Sequence, residues 1–312
     1  MLVGLIFILL ILAFFALVLF RKNHAISLNH AREKHQQSES KYFDFHGLSC
    51  HYTDQGKGDV LIMVHGLGDS FKMFDPIVQR LSQTYRLVRV DLPGFGLSDV
   101  PKSFEPQGEP VEYYRAFMHH FTERLDVGEF HLMGNSLGGL VSWEFALQNQ
   151  QKLKSLCLIS SAGYEMEVVK HNISKGVLHL IPKFLLQRGM PYSMAKKNVA
   201  MVIKQRVYRT KSLIDIHYDM INTTGTLAYF IQMLSFDSNP NIKELHHLKT
   251  PTLIAWGQQD RVIPVHHAAK FAEDIPNSQT KIYSNCGHYP QVEYSNKFVE
   301  DWLSFAQGET AG

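Results

Sequence analysis

Residues 131–139 read His-Leu-Met-Gly-Asn-Ser-Leu-Gly-Gly, and no other stretch of the chain restricts the fold so tightly. An apolar run arrives at Gly134, a serine stands at 136, and Gly138 and Gly139 open a segment of helical character. Gly134-Asn135-Ser136-Leu137-Gly138 matches G-x-S-x-G, in which a serine sits on a strained strand-to-helix turn and the flanking residues must lack a Cβ to leave room for backbone. Such a turn lifts the hydroxyl clear of a sheet. The surroundings agree, because residues 129–133 have strand character and residues 140–147, LVSWEFAL, allow an amphipathic or buried helix packed on that sheet.

The rest of the chain repeats this grammar. Residues 60–64, VLIMV, form a continuous apolar run of strand length, as expected in a sheet buried on both faces. Further strands are expected at 87–90, 153–160, 252–256 and 280–283, with helices at 76–81, 111–125, 265–271 and 296–305. Residues 42–54 read as a hairpin around Gly47. Alternation of strand and helix predicts an α/β fold with a mostly parallel sheet and right-handed crossovers. Between 163 and 245 the alternation stops, and apolar residues such as Val177, Leu178, Ile181, Leu185 and Leu186 recur at helical spacing, so this stretch is read as an inserted helical cap. The core then divides into 41–162 and 246–312. A chain of 312 residues, 45% hydrophobic and 19% charged, can bury one large core or two modest ones.

The N-terminus carries a different signal. Residues 2–20 are 19 consecutive residues without a charge, enough to cross a hydrocarbon core of ~30 Å. No basic segment precedes the run and no small-x-small cleavage site follows it, so a transmembrane anchor over 1–20 is preferred to a signal peptide or a buried helix. Arg21, Lys22, Arg32 and Lys34 follow the run, which predicts a single-pass membrane protein with its body on the cytoplasmic side. Residues 21–40 lack an apolar period and read as a polar tether.

Composition removes several functions. A formal net charge of +2 gives no reason to expect nucleic acid as a partner, and neither a zinc-like Cys/His spacing nor a phosphate-cradling G-x-x-x-x-G-K is present. No metal or organic cofactor is expected. Cys50, Cys157 and Cys286 cannot build a disulfide framework.

A serine hydroxyl is a poor nucleophile until a base takes its proton, and the base needs an acid to hold its tautomer. Asp260 ends the segment Trp256-Gly257-Gln258-Gln259-Asp260, and His288 follows the next strand in Asn285-Cys286-Gly287-His288. Along the chain the three come in the order Ser136, Asp260, His288. All three are expected beyond the C-terminal ends of strands, where an open α/β sheet places its sites.

Together with His65-Gly66-Leu67-Gly68 and the segment Asp91 to Ser98, these motifs resemble the α/β-hydrolase superfamily over roughly residues 41 to 307. Within it, an anchor followed by a capped domain resembles monoacylglycerol lipase-like esterases and some bacterial lipases. The resemblance implies an oxyanion hole made by the backbone N–H groups of Leu67 and Leu137, with His65 structural and Asp91 fixing a loop. It leaves Asn135 either touching substrate or filling the turn. It implies a serine esterase acting through an acyl-enzyme on a small-molecule acyl ester, lipid-like if the anchor holds the domain at membrane lipids. Carbon–carbon bond hydrolases share a Gly-Asn-Ser-x-Gly elbow but typically carry a glycine-richer oxyanion loop and a tryptophan after the histidine, where this chain has Tyr289. Thioesterase or acyltransferase activity stays open, because the acyl-enzyme is common to all of these reactions. A non-catalytic ligand-binding or membrane-docking role would use the fold without needing Ser136, Asp260 and His288 together.

Overall fold

The computed structural model describes residues 23–101, 110–165, 186–235 and 240–308. Eight strands form one sheet in the order β1-β2-β4-β3-β5-β6-β7-β8. They are β1 (Ser40–Phe45), β2 (Leu48–Gln55), β3 (Asp59–Val64), β4 (Tyr85–Val90), β5 (Phe130–Asn135), β6 (Leu153–Ile159), β7 (Thr252–Gly257) and β8 (Ser278–Tyr283). The expected hairpin forms as the antiparallel pair β1–β2, which joins the sheet antiparallel to β4. Every other pairing is parallel.

Continuous apolar runs become interior strands because both faces of the sheet are covered. Along β3, Ile62 and Val64 face one core and Leu61 and Met63 the other, the two-residue alternation of a strand. The first core is closed by α3 (Pro110–Leu125), through Tyr114, Phe117 and Phe121, and by α4 (Leu137–Gln148), through Trp143 and Phe145. The second is closed by α2 (Asp75–Leu81), through Ile77 and Leu81, and by α10 (Ser295–Ala306), through Phe298, Val299 and Trp302. Helix α8 (His266–Asp274) adds Ala268 and Phe271 to the first core. Cys50, Cys157 and Cys286 are all buried and unpaired.

Between β6 and β7 the described residues hold α5 (Tyr192–Val202), α6 (Lys211–Asn222) and α7 (Thr226–Ser235) and no strand. Val177, Leu178, Ile181 and Leu185, on which the cap was read, lie outside the described residues. Helix α7 reaches down to the sheet. Phe230 lies against Gly68 in the loop after β3, and Tyr229 lies against Gly94 in the loop after β4.

Two N-terminal expectations are corrected. The tether is not featureless, because helix α1 (Leu28–His35) forms within it, capped by the Ser27 hydroxyl accepting from the His30 N–H at 3.1 Å. Arg32 Nε donates to the Leu97 carbonyl at 2.9 Å, and Lys34 and His35 both reach the Asp219 carboxylate of α6, at 2.7 and 2.8 Å. A helix fixed by charged contacts has no apolar stripe to betray it. The single-pass membrane placement is also withdrawn. Among the described residues no helix is long and apolar enough to cross a membrane. The longest of them, α3, has 16 residues, ~24 Å at 1.5 Å per residue, short of the ~30 Å of a hydrocarbon core. The apolar run 2–20 that suggested a transmembrane helix lies outside the described residues.

Candidate active site

The serine elbow forms where the sequence puts it. β5 ends at Asn135, α4 begins at Leu137, and Ser136 between them has φ 53° and ψ −116°, a backbone that L-residues avoid. The turn closes only because its neighbours are glycines. A Cβ on Gly134 would collide with the Gly138 carbonyl and the Ser142 hydroxyl, and one on Gly138 would collide with the carbonyls of Val64 and His65. The Ser136 N–H donates to the Ile159 carbonyl at 3.0 Å, and the Ser136 carbonyl accepts from Leu140 and Ala162 at 3.1 and 2.9 Å. From Phe130 to Ala146 every residue is buried except Ser136 and Leu137. The elbow therefore opens to its surroundings at the serine.

Asp260 and His288 come from the loops that follow β7 and β8. The Asp260 Oδ1 accepts from the N–H groups of Val262 and Ile263 at 2.8 and 3.0 Å, and its Oδ2 lies 2.7 Å from His288 Nδ1. Both residues are buried, so this contact is shielded from water. With the carboxylate on Nδ1, the imidazole is held with that nitrogen protonated and Nε2 available as a base. Asn135 joins this loop to the elbow. Its Nδ2 donates to the Ile159 carbonyl at 3.1 Å and to the His288 carbonyl at 3.3 Å, and the side chain is fully buried. Its amide nitrogen thereby ties the residue before the serine to the histidine loop.

The loop that carries Leu67 lies against the elbow, since a Cβ on Gly66 would stand 3.1 Å from the Ser136 Cβ. In the run from Leu61 to Gly68 Leu67 alone is not buried, and Leu137 is the first residue of α4, whose leading N–H groups have no acceptor within the helix. The helix N-terminus adds a favourable potential for developing negative charge there.

His65 and Asp91 have structural partners. The His65 Nε2 accepts from the Leu92 N–H at 3.0 Å, and its Nδ1 lies 2.7 Å from the Gly66 carbonyl, so both nitrogens are engaged. Asp91 is buried and accepts from the N–H groups of Phe71 and Leu97 at 2.7 and 2.9 Å and from His51 Nδ1 at 2.8 Å. Burial alone would raise its pKa, but the hydrogen bond and charge of His51, with His65 and the Leu97 N–H, outweigh it and hold the carboxyl below 3.8. It fixes the loops after β3 and β4.

Sequence reasoning did not foresee the contacts of three further residues. Tyr289 Oη donates to the Asp69 carboxylate at 2.7 Å, joining the residue after His288 to the loop that contains Leu67. Burial, then the Asp69 charge, pushes the Tyr289 phenol well above 10. Glu293, in the short helix α9 (Pro290–Glu293), accepts from the Gly287 N–H at 2.7 Å. Neither contact has a motif, since each links positions far apart or unremarkable in sequence. Cys286, two residues before His288, is buried, and burial and then Glu293 raise the pKa of its thiol.

Comparison with known proteins identifies the fold family. Residues 59–191 and 214–294 match the family model described as the alpha/beta hydrolase fold. A 2-hydroxy-6-oxo-6-(2'-aminophenyl)hexa-2,4-dienoic acid hydrolase of Metapseudomonas resinovorans is 26% identical, over 89% of this chain and 96% of its own length. Among solved structures, a meta-cleavage product hydrolase of Pseudomonas fluorescens IP01 superposes with a TM-score of 0.73 at 21% identity, covering 86% of this chain and 98% of that one. A bacterial membrane phospholipase A superposes with a TM-score of 0.69 at 24% identity, covering 99% of both chains.

Proposed function

The chain belongs to the α/β-hydrolase family, and on that premise we propose that it is a serine hydrolase acting at a carbonyl carbon, with Ser136, His288 and Asp260 as its catalytic residues. The observation that carries this is the strained, half-buried Ser136 at the end of β5 together with a buried His288–Asp260 pair at 2.7 Å, the His288 carbonyl accepting at 3.3 Å from Asn135, the residue before the serine. Ser136 Oγ adds to the carbonyl carbon while its proton passes to His288 Nε2. The oxyanion is held by the N–H groups of Leu67 and Leu137, a contribution of ~10² to 10³ per donor in such sites. The leaving group departs with the proton from His288, and water then releases the acyl group and restores the serine.

For the bond broken, the curated relative supports hydrolysis of the carbon–carbon bond beside the 6-oxo group of a 2-hydroxy-6-oxo-dienoic acid. Here the departing atom that takes up the proton is carbon. A second reading, hydrolysis of a carboxylic ester, is favoured by Tyr289 and Asp69. The carboxylate of Asp69 is bound to the residue after His288, placing negative charge where an acid substrate would bring more. Turnover of a ring-cleavage dienoic acid, followed by loss of its absorbance, is compared with turnover of neutral p-nitrophenyl and glyceryl esters. A kcat/KM for the dienoic acid at least tenfold above that for any ester supports carbon–carbon hydrolysis. The reverse ratio supports the esterase, and no turnover of either contradicts the proposal.

A further inference from the structure

The mounting of His288 reaches into the helices inserted between β6 and β7. The His288 N–H donates to the carbonyl of Val202, the last residue of α5, at 2.7 Å. One carboxylate oxygen of Glu293 accepts from the Gly287 N–H at 2.7 Å, and the other accepts from the Gln205 N–H at 2.6 Å. The Gln205 side chain returns a hydrogen bond to the Glu293 carbonyl at 3.4 Å. Glu293 is 1% exposed, so these contacts do not compete with solvent. Gly287 permits the approach, because a Cβ there would lie 2.5 Å from the Val202 carbonyl oxygen and 2.9 Å from the Lys204 nitrogen. Val199, Val202 and Ile203 pack in one apolar cluster with Tyr289 and Val292.

We propose that Glu293 is the positioning residue of His288: its carboxylate clamps the His288 loop to the segment Val202–Gln205, making the inserted helices part of the base's mount. Asp260 fixes the rotation of the imidazole, whereas Glu293 and Val202 hold the consecutive backbone N–H groups of Gly287 and His288. The inference rests on the serine-hydrolase reading above. Displacing a catalytic group by about 1 Å costs ~10² in rate.

The test is the rate at which a fluorophosphonate modifies Ser136 in the full chain, resolved into a reversible binding constant and a maximal rate constant. Glu293→Gln keeps the shape but turns an NH₂ toward an N–H. The maximal rate constant of the folded variant is expected to fall about 10²-fold with the binding constant within about threefold of wild type. A purely structural Glu293 would lower the unfolding temperature and leave the maximal rate constant of folded protein unchanged, and that result overturns the proposal. If Glu293→Gln does not fold, Gln205→Pro replaces it. Gln205 has φ −80°, which proline accepts; the substitution removes the N–H that reaches Glu293 and the side-chain return bond, and the ring Cδ, standing in place of the amide hydrogen, pushes the Glu293 carboxylate away. Slower modification by about tenfold supports the clamp, and an unchanged rate overturns it. A wild-type chain that is not modified at Ser136 refutes the serine reading, and the clamp with it. A modified wild type with an equally fast variant refutes the clamp alone.

Discussion

Asp260 gives its two carboxylate oxygens to separate tasks, one to the N–H groups of Val262 and Ile263 and the other to His288 Nδ1. Asp260→Asn keeps the first and reverses the second, since an amide NH₂ facing Nδ1 favours the tautomer protonated at Nε2. On the proposed mechanism kcat should fall by ~10⁴ with little change in unfolding temperature. A loss below about tenfold would mean that the His288–Asp260 contact is structural. At this scale the serine, the acid and the histidine could be singled out because each follows a strand, with glycines two residues to either side of Ser136 and one directly before His288. The contacts of Asp69, Glu293 and Val202 were not legible. They are made by a side chain without a motif or by backbone, and hydropathy records neither. His65 and Asp91 have residue types that suit catalysis; the resemblance implied structural roles for both, and their hydrogen-bond partners, Leu92 N–H and His51 among them, are structural.

Among elements, the parallel strands were the most readable, because strands covered on both faces become unbroken apolar runs such as 60–64. β5 carries an exception. His131 lies in it, buried, with Nδ1 2.7 Å from the Ser155 hydroxyl of β6. Burial pushes this imidazole down from 6.5 to about 4, with Asp59 opposing and Lys154 assisting. The folded state therefore resists a proton that the unfolded chain accepts, so stability is complete above pH 6.5 and declines as pH falls from 6.5 to about 4. Free energies of urea unfolding at pH 7 and 4.5 should differ less in His131→Gln than in wild type. Parallel losses in the two proteins would contradict the assignment. Helix α1 marks the opposite case, a segment that looked like a tether because Arg32, Lys34 and His35 hold it through polar groups on Leu97 and Asp219.

For the whole molecule, the sheet and the inserted helices meet at the candidate site. α7 places Phe230 on the loop that carries Leu67, and the end of α5 holds the backbone of His288. The expectation of a helical insertion followed from the loss of strand alternation, while its part in mounting the histidine depends on tertiary contacts that no local pattern encodes. The membrane placement rested on a count of consecutive apolar residues, and among the described residues no helix is long and apolar enough to cross a membrane. Everything in the proposed function converges on one hydroxyl, so the decisive measurement is kcat/KM of Ser136→Ala beside wild type on whichever substrate the wild type turns over best. A fall of at least ~10⁴ with an unchanged unfolding transition is the predicted result, and activity within tenfold of wild type would contradict the account.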